Sequence, residues 1–472
     1  MLNNYFKYNQ ITTEKPISNE EVIKEEIKED VTSNTKQSAY NGIMYYRSLN
    51  TKIKSREKEN FLSTFEHKIA NGFLKKIIDQ KVNYLLGKKI VIENIEKINQ
   101  TININKIIRK AAKESCKKGV EWLHPYINNS GEFKISNISG LECIPIYDTE
   151  YQEELIQMIR YYKITVLDNK NKKVSRYKVE LYDKDKVTYY MQDAEGNYYL
   201  DTSIEINPLY YISISTKLGK KVLGSKGNGW GKVPFIPLWN NDDKTNDLEP
   251  IKEHIDLYDI VESDFANNLD QLQDVLLVLK NRSPGEYEKF LKNLKKYKIV
   301  EVDEDGDLKS LSIDVPVVAR KELLSILRDN IFEFGQAVDT RRVADGNTTN
   351  VVIKSRYSDL DLKCDDFQFM IEDSIYNLLW FVNKYFEVTG KPTENLENVE
   401  ITFNRNIIFN ESEKVKNFVD QGGRISNKTL LSNHPNVDNV NEELEELEIE
   451  EQGFSSEETD NNNNNNDVID NG

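Results

Sequence analysis

Cysteine, histidine and long apolar runs are all scarce in this sequence of 472 residues. The three cysteines, Cys116, Cys143 and Cys364, are odd in number and widely spaced. This excludes a disulfide framework or a zinc site and predicts buried thiols in a reducing cytoplasm. Apolar runs such as 378–382 are far too short to cross a bilayer, so no membrane segment is predicted. The N-terminus has no basic region followed by an apolar one, and we expect no secretion signal.

Patterns that carry catalysis are also missing. A P-loop, a G-x-G-x-x-G fingerprint and a G-x-S-x-G nucleophile motif are absent, and the glycines at 224–231 predict an ordinary loop. The four histidines, His67, His124, His254 and His434, lie far apart and in no metal-binding spacing. We therefore expect no catalytic residue, no metal ligand and no cofactor, and a protein that is not an enzyme.

Two acidic clusters leave an alternative open. The cluster at 240–243 (N-N-D-D) could bind Mg²⁺ or Ca²⁺, and the run V-D-E-D-G-D-L resembles a calcium loop. A turn is the simpler interpretation of both clusters, since Asp-Gly between two strands is a hairpin signal. The rival hypothesis is a divalent-metal-dependent nuclease or other phosphoryl-transfer enzyme that uses carboxylates near Asp242 and Asp303.

The net charge of −16 is concentrated at the C-terminal end. Thirteen acidic residues lie from Asp438 onward, and no Lys or Arg follows Lys428, so the rest of the chain carries a charge of about −3. Its cations are dispersed among carboxylates along the sequence. Because proteins that grip DNA phosphates show a basic patch or stripe, this dispersion disfavours tight DNA binding but allows DNA to pass.

The spacing of apolar residues predicts an α+β protein. Ser18 and Glu21 form a capping box for a short acidic helix, and helical spacing continues over 60–87 and 103–119. Over 120–236 the period falls towards two, in segments rich in β-branched and aromatic residues, which predicts an antiparallel meander.

Two long helices with an insert between them are predicted next. The first covers 250–281, with Glu262 as one charged interruption and Glu262 and Asp264 on an exposed face. Its stem-packing positions are Ile255, Tyr258, Phe265, Leu269, Leu272, Leu276 and Leu279. The insert holds a short helix and a hairpin with its turn at 304–307, and helix returns near Arg320.

A polar loop and the longest helix follow. The helix covers about 352–389, and its apolar stripe comprises Tyr357, Leu360, Cys364, Phe367, Ile371, Leu378, Val382 and Tyr385. One strand near 399–405, a helical acidic segment and an Asn-rich end complete the chain.

Several stretches, in this order, resemble one protein family. They are FLKKIIDQKVNYLLGKKI (73–90), LECIPIYD (141–148), IRYYKI (159–164), the block from VPFIPLWNNDD through DVLLVLKN (233–281), and GGRISNKTLLSNHPNVDNVNEELEELEIEE (422–451). Within the long block, the helix positions are Asp256, Ser263, Asp264, Asn267 and Asn268. The joint order is similar to that of phage portal proteins typical of siphophages of Gram-positive bacteria.

The resemblance implies a portal fold with long stem and core helices, an antiparallel β-rich wing, a small α/β clip insert and a helical crown. In this sequence the regions are an N-terminal acidic arm (1–40), wing (41–249), first stem helix (250–281), clip (282–318), second stem helix (319–340), tunnel loop (341–352), long wing or core helix (353–389), wing strand (390–410), crown (411–452) and disordered acidic, Asn-rich tail (453–472).

The resemblance also implies residue roles. The DNA-facing tunnel loop would contain Arg341, Arg342, Asp345, Asn347, Thr348, Thr349 and Asn350, and the clip would contact a connector through Tyr287, Phe290, Glu304, Asp305 and Asp307. One departure concerns the loop, where Thr-Thr-Asn-Val (348–351) stands in place of the family's Ser-Gly-x-Ala.

The implied function is structural. The chain would form a dodecameric ring at one capsid vertex, the channel for DNA packaging and ejection. Its partners would be copies of itself, major capsid and scaffolding proteins, the terminase large subunit, a head-tail adaptor, and double-stranded DNA passing without sequence-specific binding. It would be assembled in the bacterial host cytoplasm and reside in the virion at the portal vertex, with no membrane partner.

Overall fold

The computed structural model describes residues 11–13, 16–57, 66–167, 171–213, 227–271, 276–279, 308–311, 316–343, 350–406, 426–432, 437, 439–447 and 449. Helices and strands are mixed in these residues, which confirms the predicted α+β class. The chain divides into two compact units, each made of separate stretches of sequence. Unit 1 comprises 1–42, 76–247 and 336–472, and unit 2 comprises 43–75 and 248–335.

The described helices are α1 (Glu20–Val31), α2 (Asn34–Tyr46), α3 (Thr51–Lys54), α4 (Phe73–Leu86), α5 (Glu96–Thr101), α6 (Ile104–Lys118), α7 (Lys252–Gln271), α8 (Val317–Phe334), α9 (Thr340–Val343), α10 (Asn350–Thr389) and α11 (Asn427–Ser432). Residues 440–447 are also helical.

The described strands are β1 (Ile11–Thr12), β2 (Val91–Ile92), β3 (Val120–Ile127), β4 (Phe133–Ser139), β5 (Cys143–Tyr147), β6 (Leu155–Leu167), β7 (Lys173–Tyr182), β8 (Lys186–Gln192), β9 (Tyr198–Leu200), β10 (Leu209–Tyr210), β11 (Ile212–Ser213), β12 (Gly227–Asn228), β13 (Ile236–Trp239), β14 (Leu276–Leu279), β15 (Leu308–Leu311) and β16 (Ile401–Thr402).

The predicted meander forms the main sheet of unit 1. Its strands follow the order β1-β5-β6-β7-β8-β10, with β9 also paired to β8. All pairings are antiparallel except that of β1 with β5. Helix α1 supplies Ile23 and Ile27 to a buried cluster that includes Ile144, Ile159 and Val179 of the sheet. Alternation of period two therefore places one side of these strands in a core.

A second sheet in unit 1 was not predicted as separate. It has the order β13-β3-β4, and its Val120 and Trp122 lie in a buried cluster that also includes Met158 and Tyr182 of the main sheet. The first four residues of β3 are all buried, so the strand lacks the alternation that marked the others. Helix α6 precedes this sheet and ends, as predicted, at Gly119, whose φ of +91° suits glycine.

Three predicted helix boundaries are corrected. Helix α1 is capped by Asn19, not Ser18, since the Asn19 side chain accepts the hydrogen bond from Glu21 N at 2.8 Å. Of the helix predicted over 60–87, residues 66–72 are not helical and Phe73 begins α4; residues 60–65 lie outside the described residues. Asn350, assigned to the tunnel loop, is the first residue of α10.

The continuous first stem helix through 281 is wrong. Helix α7 ends at Gln271, and Leu276 and Leu279 lie in β14, which pairs antiparallel with β15. The run Leu-Leu-Val-Leu fits a strand as well as a helix, and cross-strand pairing decides between them. The predicted strand at 308–311 is present, but its described partner is β14; the predicted turn at 304–307 lies outside the described residues.

Candidate functional site

The polar side of α7 holds a distant part of the chain within unit 2. Residues 45–57 and 66–71, called the strap below, contact this side through hydrogen bonds. Tyr45 OH donates to Asp256, and Ile69 N donates to Ser263 Oγ at 3.0 Å. Both acceptors belong to the helix positions that carry the family resemblance. Their role in this structure is therefore to anchor backbone and side chains of the strap.

Asp259 is the centre of the strap contacts and is fully buried. It accepts hydrogen bonds from Asn50 Nδ2 at 2.7 Å, Asn71 N at 3.1 Å and Asn71 Nδ2 at 2.8 Å. Because these donors are neutral amides, burial outweighs them and raises the pKa of Asp259. Sequence reasoning did not single out Asp259, although its spacing from Asp256 and Ser263 places the three on one side of the helix.

Glu262 and Asp264 do not lie on a free face. Glu262 Oε2 accepts a hydrogen bond from Asn71 Nδ2 at 2.6 Å, and Asp264 forms an ion pair with Arg56 at 2.6 Å. The predicted exposed setting is wrong because the strap reaches both carboxylates. One helical turn further on, Asn267 Oδ1 accepts from His67 N at 2.7 Å, so the polar contacts continue along α7.

The predicted apolar positions of α7 pack within unit 2. Ile255 is buried, and the Tyr258 ring meets Phe73 edge-to-face at 4.9 Å between centroids. The Arg320 guanidinium of α8 lies 5.6 Å from the centre of the Phe265 ring. Leu269 is 46% exposed, and Leu272 lies outside the described residues. The positions thus form a local core and not a continuous heptad seam.

Helix α8 exposes several large apolar side chains to solvent. Leu327, Ile331 and Phe332 are buried, but other large apolar side chains of α8 are 38–84% exposed. These exposed residues are Val317, Val318, Leu323, Ile326 and Phe334. Of these, Leu323, Ile326 and Phe334 fall within an arc of about 80° at 100° per residue, and a group of exposed apolar side chains on one side of a helix is typical of an interface.

Helix α10 in unit 1 also has two apolar faces. All eight positions of its predicted stripe are buried, which confirms that stripe. On another face, Leu362 and Phe369 are 62% and 61% exposed, and Tyr376 is 42% exposed. These three residues recur every seven positions and so fall on nearly one line along the helix. Sequence analysis missed this line, because the buried stripe alone accounts for an amphipathic helix.

The structure describes only part of the predicted tunnel loop. The segment before it is fixed to α4, since Val338 N donates to Gln80 Oε1 at 3.0 Å and Lys76 Nζ donates to Thr340 Oγ1 at 3.0 Å. Arg341 lies in α9 and is exposed. The side chain of Arg342 and all of Asp345, Asn347, Thr348 and Thr349 lie outside the described residues, as do the clip residues Tyr287, Phe290, Glu304, Asp305 and Asp307.

A sealed ionic cluster joins α4, α10 and the turn before Leu248 within unit 1. Asp247 Oδ1 lies 3.3 Å from Lys81 Nζ, 3.2 Å from Lys363 Nζ and 3.0 Å from Asn240 Nδ2. Burial alone would raise the pKa of Asp247, but Lys363, Lys81 and the Asn240 hydrogen bond lower it to about 2. Because the cluster is buried and its lysines pair with the carboxylate of Asp247, we interpret it as structural.

The other candidate groups are structural as well. Asn241 Oδ1 accepts from Thr245 N at 2.9 Å, which makes the 240–243 cluster a turn, as expected. His124 donates to Pro234 O at 2.6 Å, and burial lowers its pKa to about 4, so it is a neutral core histidine. The three cysteines are buried and free, as predicted. Among the described residues, no group of His, Cys, Asp and Glu is arranged to hold a metal.

No described helix combines the length and apolar character needed to cross a membrane. A model of the family "Phage portal protein, SPP1 Gp6-like" matches residues 20–456. The portal protein of Bacillus phage SPP1 is 28% identical over 418 residues, 86% of this chain and 79% of the relative.

A second relative, the portal protein of Clostridium phage phiCD119, is 30% identical over 434 residues, 86% of this chain and 91% of its own length. These matches support a structural role and not the rival nuclease hypothesis. Since the family match spans most of the sequence, the chain belongs to the SPP1 Gp6-like family of phage portal proteins, and its function is a structural portal function of the phage capsid, not an enzymatic one.

Proposed function

We propose that the chain assembles into a closed dodecameric ring at a single capsid vertex and lines the channel through which double-stranded DNA is packaged and ejected. Copies of the chain contact each other and the major capsid and scaffolding proteins. The terminase large subunit and a head-tail adaptor dock on the ring. Assembly takes place in the cytoplasm of the bacterial host, before the ring becomes part of the virion.

The observation that carries this proposal is exposed apolar surface on the long helices. Helix α8 exposes Ile326 at 49% and Phe334 at 50%, and α10 exposes Leu362 and Phe369 at more than 60%. Burying such side chains contributes about 25 cal/mol per Å² of apolar area. A ring buries the same faces on every subunit, because each copy offers one side to the next.

The described elements revise the proposed regions. Helix α7 is the first stem helix and ends ten residues earlier than the pattern of leucines suggested, at Gln271. Strands β14 and β15 then belong to the clip, and α8 is the second stem helix. Helix α10 is the long core helix, the main sheet and the β13-β3-β4 sheet of unit 1 form the wing together with β2 and β16, and α11 with the 440–447 helix belongs to the crown.

Mass and symmetry test the ring directly. A dodecamer of 54.9 kDa subunits has a mass of about 660 kDa, measurable by light scattering, and shows rotational symmetry in negative-stain images. The double variant Ile326→Asp, Phe334→Asp places two charges in the apolar face of α8. We expect it to shift the protein to small species, whereas the exposed polar control Glu322→Gln keeps the full mass. If this double variant still forms complete rings, α8 is not part of the interface between subunits.

DNA contact in the channel is tested at the loop. Arg341 and Arg342 are its two cations. Charge reversal of both to Glu adds repulsion for phosphate, so we expect altered DNA packaging or retention with an unchanged ring mass. A double variant that forms no rings would show that these arginines serve assembly and not DNA.

A further inference from the structure

Helix α6 of unit 1 has an outward face made entirely of cations. Ile104, Ile108, Ala111, Ala112 and Cys116 are buried on its inner side. At 100° per residue, the arc opposite them contains only Lys and Arg, at positions 106, 109, 110, 113 and 117. This grouping is hidden in the sequence, where the same cations alternate with apolar residues and Glu114.

Part of this face lacks acidic partners. Lys113 pairs with Asp79 at 2.6 Å and Lys117 pairs with Glu114 at 2.6 Å. Within the described part of the chain, no carboxylate lies within 4.0 Å of Lys106, Arg109 or Lys110; the Arg109 guanidinium donates to the neutral Asn83 amide at 2.9 Å.

Lys89 extends the free part of the face. Its neighbour Ile90 exchanges two hydrogen bonds with the Asn105 side chain, at 2.7 Å and 3.1 Å, which holds exposed Lys89 next to the start of α6. We call Lys89, Lys106, Arg109 and Lys110 the basic face. Within the described part of the chain none of these four cations has a salt-bridge partner, and a group of cations creates a positive potential that attracts a polyanion.

The chain supplies a matching polyanion near this face. The helix at 440–447 has four glutamates and no cation, and its Val440 and Leu444 are partly buried. Asn441 Nδ2 lies 3.5 Å from Glu93 Oε1, and Glu93 is four residues beyond Lys89. The described chain ends at Ile449, and residues 450–460 add Glu450, Glu451, Glu457, Glu458 and Asp460 without one Lys or Arg.

We propose that the acidic segment 450–460 docks on the basic face of α6 and masks it from nucleic acid. The chain is long enough, since residues 448–460 span up to about 43 Å when extended. The distance from Leu447 to Lys89 is at most about 27 Å, made up of about 9 Å of helix back to Asn441, the 3.5 Å contact with Glu93 and about 14 Å from Glu93 to Lys89. Tethering makes docking intramolecular, with an effective concentration on the order of millimolar. The acidic segment therefore competes with DNA phosphates for the basic face. Without this competition, the basic face would bind DNA outside the channel.

Zero-length crosslinking with a water-soluble carbodiimide tests the contact in the full-length, assembled protein. The reagent joins a lysine amine directly to a carboxylate that touches it, and mass spectrometry identifies the pair. We expect crosslinks from Lys89, Lys106 or Lys110 to carboxylates in 450–460, lost at 0.5 M salt because the contact is exposed and ionic. Lys173, an exposed lysine on β7, is the matched control and should form no such crosslink. Absence of crosslinks to the basic face would overturn the proposal.

A DNA-binding measurement separates the acidic segment from DNA as the occupant. A fluorescent 30-base-pair duplex is titrated with the full chain and with a chain that lacks 450–472. We expect about tenfold tighter binding after deletion, with unchanged ring mass, and loss of that gain in the deleted chain carrying Lys106→Glu, Arg109→Glu and Lys110→Glu. Equal DNA affinity with and without 450–472 would assign the basic face to DNA itself, or to neither ligand, and refute masking.

Discussion

The two units each place one buried aspartate at the centre of a long-range contact, yet they surround it differently. In unit 1, Asp247 lies between the ammonium groups of Lys81 and Lys363. In unit 2, Asp259 receives hydrogen bonds from the side-chain amides of Asn50 and Asn71 and from the Asn71 backbone. The first carboxylate is neutralised by cations, whereas the donors to the second in the described part of the chain are neutral amides.

This difference in partners determines how each contact responds to change. Loss of Asp247 leaves two lysines facing each other in the interior, which is costly because a buried charge then has no counter-ion. Loss of one amide at Asp259 removes a hydrogen bond while the rest of the strap remains held through Ser263 and Asp264. Loss of one charge therefore destabilises the whole ionic cluster, whereas the contacts of the strap can be lost one at a time.

The largest effect is expected from Asp247→Asn. This change leaves the buried ammonium groups of Lys81 and Lys363 without their carboxylate. We therefore expect the free energy of unfolding of unit 1 to fall by about 3–5 kcal/mol. All four tryptophans lie in unit 1, so urea unfolding followed by tryptophan fluorescence reports on this unit. Asp242→Asn changes an exposed aspartate of the same turn and should cost less than about 0.5 kcal/mol. Equal costs for the two variants would show that the cluster contributes no stability.

A smaller, local effect is expected from Asn71→Ala. The variant removes donors from Asp259 and Glu262, which should weaken strap anchoring by about 1–3 kcal/mol. Trypsin measures this, because Arg56 and Lys68 lie in the strap and we expect faster cleavage at both when the strap opens locally. The exposed Lys52→Ala is the control and should leave the rate at Arg56 unchanged. If cleavage in the Asn71 variant matches wild type, the strap is not held by these amides.

The smallest expected effect is that the stability contributions of Asp247 and Asp259 change in opposite directions with pH. The pKa of Asp247 is lowered to about 2, so its stabilisation is present above the unfolded pKa of about 3.9 and is lost as pH falls towards 2. The pKa of Asp259 is raised, so its contribution is fully present below about 3.9 and is lost as pH rises through the folded pKa. The cost of Asp247→Asn should therefore shrink on acidification, whereas that of Asp259→Asn should grow.

Two measurements follow these costs separately. Urea unfolding by tryptophan fluorescence gives the Asp247 cost between pH 7 and pH 2.5. Hydrogen exchange of the Ile69 and Asn71 amides, corrected for the intrinsic rate, gives the Asp259 cost between pH 7 and pH 4, since both amides donate to α7 side chains. Parallel trends in the two variants would contradict the assignment of cations to one site and neutral amides to the other.

Sequence patterns predicted the elements in which local signals agree with packing. The stripe of α10 is buried at every predicted position, and the meander strands and α6 lie where alternation and helical spacing placed them. The family resemblance predicted the portal function, which composition and motif searches alone did not reach.

The errors arose where a distant segment decides the local structure. Leucines at 276–279 satisfy helical spacing, but pairing with 308–311 makes them a strand. Residues 66–72 have helical apolar spacing, yet their amide groups donate to side chains of α7 about 190 residues away. Asp259 was missed because its partners, Asn50 and Asn71, are unremarkable in sequence until the strap is placed against the helix.

Unit 2 is built from two separate segments of the sequence, and this determines the order in which its contacts can form during synthesis. Its first stretch, 43–75, can find Asp259 and Asp264 only after residues up to about 270 have left the ribosome. At about 5–20 residues per second, this delay lasts roughly 10–40 seconds. During that time the hydrogen-bond acceptors of Tyr45, Asn50 and Arg56 have not yet been synthesised, whereas the intervening sheets of unit 1 have. Closure of the strap is therefore a late step in the folding of each subunit.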